Sequence, residues 1–342
     1  MIFAISNELK LRKTEIQEEI ETIYLGGGTP SLLNLDEINF LFETIFREFS
    51  VSENPEITLE ANPDDLSQTK IKELKTTPIN RFSIGVQSFF EEDLRLMNRA
   101  HNAQEAVNSI KFAQDAGFEN ITIDLIYGGQ TTSDEIWERN LQTALELRVP
   151  HISSYALTVE PKTILEHQIK TKKIPQVDEE KQERHFQKLV QTLTQNGFIH
   201  YEISNFGKPG FIARHNSNYW KGKPYLGVGP SAHSYDGKMR SWNIANNPKY
   251  LQKLSQNELA NEIEVLSKED LFNELIMIRL RTIYGLPLQE IETQFPEYLE
   301  DFLKEIQPHL NNETVRLENG HFYLTETGKF LADGIAASLF RV

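Results

Sequence analysis

The sequence predicts an α/β fold: a largely parallel sheet with helices outside it, curled into a barrel or partial barrel. Three observations predict it. Short β-rich runs alternate with longer helical patterns. The connections between the runs all exceed the dozen or so residues that a parallel crossover needs. Polar residues recur at the ends of the runs, where a β/α barrel gathers its ligand site.

The runs fall at residues 22–25, 57–60, 81–86, 121–126, 152–157 and 201–203. Helical patterns occupy 36–49, 104–116, 134–147 and 178–195, the last with Phe186, Leu189, Val190 and Leu193 on one stripe. After residue 206 the pattern changes. Residues 207–254 form a Gly-, Pro- and aromatic-rich segment without clear periodicity, and residues 255–342 form a smaller, mostly helical region. In that last region helices are expected at 268–282, 287–295 and 298–306. Two β-like runs, 315–317 and 322–324, flank Asn319-Gly320, a hairpin signal. The combination predicts a winged-helix-like unit.

Composition narrows the function. A chain of 342 residues with 39% hydrophobic content can bury a large core. Its net charge of −15 repels phosphate backbones and no basic patch is found along it, so no nucleic-acid partner is expected. No window approaches the roughly 18 apolar residues of a membrane span, and residues 1–13 lack a signal-peptide pattern, so a cytoplasmic protein without a transmembrane segment is expected. There is no cysteine, which removes disulfides, thiolate nucleophiles and any iron–sulfur cluster held by these residues.

The strongest local feature is Gly26-Gly27-Gly28-Thr29-Pro30-Ser31, directly after the first run. Consecutive glycines let backbone N–H groups approach an anion. The alternative is a plain strand-to-helix turn with Thr29 or Ser31 as a cap. No nucleotide fingerprint follows it. At the ends of later runs stand Glu60, Gln87, Asp124 and the pair Tyr155 and Ala156. Each alone can be structural, but several polar groups aimed at one mouth make a ligand site. Arg99 and His101 read either as a solvated basic helix end or, for Arg99, as a bidentate clamp on a carboxylate.

Glu21-Thr22-Ile23-Tyr24-Leu25-Gly26-Gly27-Gly28-Thr29-Pro30-Ser31, Thr58-Leu59-Glu60-Ala61-Asn62-Pro63, Ile84-Gly85-Val86-Gln87-Ser88-Phe89, Asn98-Arg99-Ala100-His101 and Ile123-Asp124-Leu125-Ile126-Tyr127-Gly128 follow in that order. In order and spacing they resemble the radical-SAM haem chaperones, the HemW family, relatives of oxygen-independent coproporphyrinogen III oxidase. Tyr201-Glu202-Ile203-Ser204-Asn205-Phe206, His215-Asn216-Ser217-Asn218-Tyr219-Trp220 and the run from Leu226 to Ser234 extend the likeness over practically the whole chain.

The resemblance implies a partial (β/α)6 TIM-like radical-SAM barrel. It implies S-adenosylmethionine (SAM) contacts at Gly27, Gly28, Thr29, Glu60, Gln87, Arg99, Asp124 and Ala156. His215, Asn216, Tyr219 and Trp220 resemble the signature of the chaperone branch, and with His233 they are the haem-handling candidates, although the aromatic residues read equally well as loop packing. Haem and a client haem protein are the implied partners. The expected activity is haem delivery rather than an enzyme's, with no catalytic residue assigned. The alternatives are radical decarboxylation of coproporphyrinogen III, or an inert SAM- or tetrapyrrole-binding relative.

The resemblance fails in two places. The family's C-x-x-x-C-x-x-C loop and the barrel strand before it have no counterpart here. Residues 1–12 look like the helix that follows that loop, so the [4Fe-4S] cluster of the family has no ligands in this sequence. A start placed inside the gene, or a truncated gene, is the preferred explanation over a cluster-free relative, because losing a first strand opens a barrel edge. In Tyr127-Gly128-Gly129-Gln130 the turn is shorter than the family's usual one.

Overall fold

The computed structural model describes residues 1–341, and its main sheet is built from the runs read above. The strands are β1 (Ile20–Leu25), β2 (Val51–Ala61), β3 (Arg81–Gln87), β4 (Asn120–Tyr127), β5 (His151–Ala156), β6 (Ile199–Glu202) and β7 (Asn205–Gly207). They lie in the order β1-β2-β3-β4-β5-β7-β6, and β2 to β5 run parallel. The sheet is curled into a half-barrel, the partial barrel expected.

The sixth run does not continue the parallel series. Only two residues separate β6 from β7, too few for a crossover, so the chain folds back and β7 inserts antiparallel between β5 and β6.

Compactness divides the chain into two units, each discontinuous in sequence: residues 22–35 with 56–213, and residues 1–21 with 36–55 and 214–342. The 1–206, 207–254 and 255–342 segments follow changes of sequence pattern instead. In the first unit the outer face of the sheet is apolar. Ile57, Leu59, Phe82, Ile84, Val86, Ile121, Ile123, Leu125 and Ile152 are all buried. So are the inner stripes of the helices Ala103–Asp115, Asp134–Glu146 and Glu179–Gln195, represented by Ile110, Trp137 and Leu189. Each such side chain contributes about 1.5–3 kcal/mol on burial. With that driving force on one face, the other face of the sheet is left for polar residues.

The second unit contains two small sheets. β8 (His233–Tyr235), β9 (Met239–Asn243) and β10 (Asn261–Val265) are antiparallel in the order β10-β9-β8. They lie in and just beyond the segment that lacked periodicity, which also holds the short helix Arg214–Trp220. The C-terminal region follows the expected plan. The helix Lys268–Leu280 leads to β11 (Leu286–Pro287), to the helices Leu288–Gln294 and Leu299–Asn311, and then to β12 (Val315–Glu318) and β13 (His321–Leu324), in the order β11-β13-β12. Asn319 and Gly320 between the last two strands have φ of 50° and 77°, the left-handed pair of a two-residue hairpin turn. This is the element order of a winged helix.

A buried charge cluster joins distant parts of the second unit. Glu8, on the helix Ile2–Leu11, accepts from Gly229 N (2.9 Å), Asn243 Nδ2 (2.7 Å), the Tyr250 hydroxyl (2.6 Å) and Arg12 Nη1 (3.1 Å). Arg12 donates onward to the Gly227 carbonyl (3.0 Å) and Ser234 Oγ (3.1 Å). A Cβ on Gly227 would sit 2.0 Å from the His233 carbonyl oxygen, so only glycine fits there.

Candidate functional site

Strand alternation places the candidate residues. On β3, Phe82, Ile84 and Val86 are buried, whereas Ser83, Gly85 and Gln87 are part-exposed on the inner face. The same alternation puts Tyr24, Glu60, Asp124, Ser153 and Tyr155 on that face. The contacts confirm that these residues meet. The Tyr24 hydroxyl donates to Glu60 Oε1 (2.7 Å), and Gly27 N–H donates to Glu60 Oε2 (3.0 Å). A Cβ on Gly85 would lie 3.1 Å from Gln87 Nε2 and 3.2 Å from Arg99 Nη2. Asp124 interacts electrostatically with both Glu60 and Arg99. Glu60, Gln87, Arg99 and Asp124 therefore share one concave surface at the carboxyl ends of the strands, as the sequence predicted. Ala156 ends β5 beside Tyr127.

Arg99 is not a solvated helix end. It follows the helix Glu91–Leu96, and its Nη2 donates to Asn62 Oδ1 (2.8 Å) and to the Gly85 carbonyl (3.2 Å). Its Nε is buried without a partner. Two bonds on one nitrogen hold the fork in place. His101 is buried nearby, with Nε2 on the Val86 carbonyl at 3.0 Å. Neither Thr29 nor Ser31 caps the turn after β1. Thr29 makes no capping bond, and the Ser31 hydroxyl donates to Asp65 at 2.7 Å. Gly27 and Gly28 have φ of 75° and 67°, with no atom within 4 Å of a Cβ built on either. That turn is a backbone cradle open on one side.

Gln87 also has a left-handed backbone, φ 65°, where the β3–β4 register shifts. For a glutamine this costs on the order of 1 kcal/mol, and such strain concentrates at functional positions. Enclosure by the sheet, and then the Glu60 carboxylate, push Asp124 up to about 7, against the pull of the Ser153 hydroxyl, Arg99 and Arg81. Deeper on the same face, His151 is held neutral by burial and by Arg81, with Tyr201 OH at 2.8 Å and Thr122 Oγ1 at 3.1 Å.

Several residues of this surface escaped the sequence reading: Tyr24, Asn62, Ser83, Ser153 and Asn205, whose Oδ1 accepts from Ser153 at 2.7 Å. For Tyr24, Ser83 and Ser153 the signal was present in the period-two alternation. Every second residue of β1 to β5 is polar or glycine on the face away from the helices, apart from Ile20 and Ile126.

The haem-handling candidates lie in the second unit. His215, Asn216, Tyr219 and Trp220 share one short helix. His215 Nε2 is 3.1 Å from the Tyr219 hydroxyl, and the two rings meet edge-on at 5.0 Å. Tyr219 continues onto Tyr225 at 4.7 Å, and Tyr225 onto Tyr235 at 6.3 Å. Trp220 lies under the Arg281 guanidinium at 5.5 Å with its Nε1 buried and unpartnered. His233 is exposed at the start of β8, 6.2 Å from the Trp242 ring.

An iron–sulfur cluster does not fit the residues present. The 342 residues contain no thiolate, and among the described residues no group of three or more His, Asp or Glu side chains is placed to hold a metal ion.

Comparison with known proteins agrees with the architecture. The radical SAM superfamily model matches residues 4–144, and the HemN C-terminal domain model matches residues 266–331. A heme chaperone HemW of Lactococcus lactis is 34% identical over 93% of this chain and 86% of its own length. The HemW of Bacillus subtilis is 31% identical over 93% and 85%. Among solved structures, coproporphyrinogen III oxidase (HemN) from Escherichia coli, a radical SAM enzyme, superimposes with a TM-score of 0.84, covering 99% of this chain and 82% of the other. At 24% identity that likeness establishes the fold. With a curled sheet, a winged-helix-like C-terminal region and relatives of this similarity over most of both chains, the chain belongs to the HemW heme chaperone family of the radical SAM superfamily.

Proposed function

We propose that this protein binds haem and delivers it to a client haem protein in the cytoplasm, and that the concave face of its main sheet is a SAM-type pocket. The observation that carries the haem reading is the helix Arg214–Trp220, which sets an imidazole against a run of tyrosine rings in a chain 34% identical to a heme chaperone. Neutral imidazole ligates haem iron, and flat aromatic surface suits a porphyrin. Ligation through His215 Nε2 requires the Tyr219 hydroxyl to give up its contact with that nitrogen. His233, exposed beside Trp242, is the second candidate. Among the described residues no helix is long and apolar enough to cross a membrane.

The pocket has what a zwitterionic sulfonium ligand needs. Arg99 holds the carboxylate, Asp124 and Glu60 accept from the ammonium and the ribose hydroxyls, and Gly27, Gly28 and Thr29 line the methionine end with backbone. Gln87 and Ala156 border the remainder. SAM itself supplies a sulfonium cation and an adenosyl group. No electron-transfer step is assigned, because these residues do not hold a cluster.

Haem titration tests the reading. The full chain is expected to give a saturable Soret shift that weakens in His215→Ala or His233→Ala. A shift unchanged in both variants removes them as ligands, and no shift in the unaltered protein overturns haem binding.

A further inference from the structure

β10 is an outer strand of the three-stranded sheet, and among the described residues no strand pairs with its far side. It is also unusually exposed for a strand. Ile263 and Val265 are 64% and 74% exposed and point to one face, where Val265 lies opposite Met239 of β9, itself 39% exposed. Glu262 and Glu264, both exposed, point to the other face. An open edge with apolar side chains is a template for another strand, and proteins usually blunt such edges with charge or proline. Here the charge is acidic only. The cation nearest in register is Arg240, opposite Glu264, and it is already paired with Glu274.

We propose that β10 accepts an extended segment of the client protein as a fourth strand. Basic side chains of that segment would oppose Glu262 and Glu264, and apolar side chains would cover Ile263, Val265 and Met239. The proposal rests on the haem-chaperone reading for the identity of the partner. Charge selects the occupant. Antiparallel pairing of two copies centred on Ile263 would set Glu262 against Glu264, like charges face to face, in chains that each carry a net −15. A basic and apolar alternating strand meets opposite charge at the same positions.

The location suits delivery. In register, His233 lies opposite Trp242, and Trp242 opposite Glu262. A strand added outside β10 therefore runs about 14 Å from the strand that carries His233, three inter-strand spacings away. Docking by backbone pairing fixes direction and distance but asks little of the partner's sequence beyond alternation, which suits a chaperone serving a client through an exposed segment.

Hydrogen–deuterium exchange on the full chain, with and without a synthetic peptide of alternating lysine and valine, tests the proposal. The amides of residues 261–265 should gain protection. In the double variant Glu262→Lys and Glu264→Lys, affinity for that peptide should fall at least tenfold, and a glutamate–valine peptide should bind instead. Far-UV circular dichroism and the haem Soret shift should be unchanged in this variant, because both positions are exposed and outside the haem-handling set. Protection elsewhere, affinity indifferent to the charge reversal, or concentration-dependent protection of 261–265 without peptide would each overturn the proposal, the last by making a second copy the occupant. Peptide protection together with no Soret shift in the unaltered protein overturns the client assignment and the haem reading, while the edge remains a strand acceptor.

Discussion

The curled sheet and the small sheet β8–β9–β10 are both β structure around candidate ligand residues, yet they are held in place by different means. Each parallel strand of the curled sheet carries its own instructions: apolar residues at every second position bury one face, and the polar residues between them line the other. The small sheet takes its position from far away in sequence. Glu8 reaches Gly229, Asn243 and Tyr250, and Arg12 reaches Gly227 and Ser234, partners more than 200 residues distant. One region is specified locally and repeatedly, the other by a single buried charge cluster, so the two should fail differently.

The sharpest way to break the comparison is Glu8→Ala. It strands buried donors from Gly229, Asn243 and Tyr250 and removes one of two carboxylates from Arg12, at an expected cost of about 3–5 kcal/mol. Exchange protection should drop first across residues 226–265, while β2 to β5 keep theirs. Equal loss of protection in the curled sheet would mean that the cluster supports both regions.

This difference also explains what could be read from the sequence. Strand β1, the parallel strands β2 to β5, their helices and the mouth that gathers Glu60, Gln87, Arg99 and Asp124 were legible because alternation, crossover length and strand-end polarity are local signals. The Asn319-Gly320 hairpin was legible for the same reason. β7 was not, because nothing in Asn205-Phe206-Gly207 announces a strand; it is fixed by its pairing with β5 and β6. β8 to β10 were hidden for the reason given by Glu8 and Arg12. The role of Arg99 was ambiguous because its partners, Asn62 just after β2 and Gly85 on β3, lie elsewhere in the sequence.

A smaller effect sharpens the account of the concave face. Asp124 is held at about 7 in the folded chain, above its ordinary value near 3.8. Between roughly pH 4 and 7 the folded state therefore binds the proton that the unfolded state has released, and stability falls as pH rises through that window. Asp124→Asn, which resembles the protonated form, should flatten this slope and raise stability at pH 8 by on the order of 1–2 kcal/mol. Thermal melts from pH 4 to 8 check it, and parallel profiles for the two proteins would mean that Asp124 titrates normally.

The central claim is that the polar rim from Gly27 to Ala156 forms one pocket for a zwitterionic sulfonium ligand. Calorimetric titration of the full chain with SAM at pH 5.5 and pH 8, with and without Arg99→Ala, tests it most directly. The account predicts binding that strengthens as Asp124 ionises between those two pH values and that weakens at least tenfold when Arg99 is removed. Absence of binding at pH 8, or binding indifferent to both pH and Arg99, would contradict it.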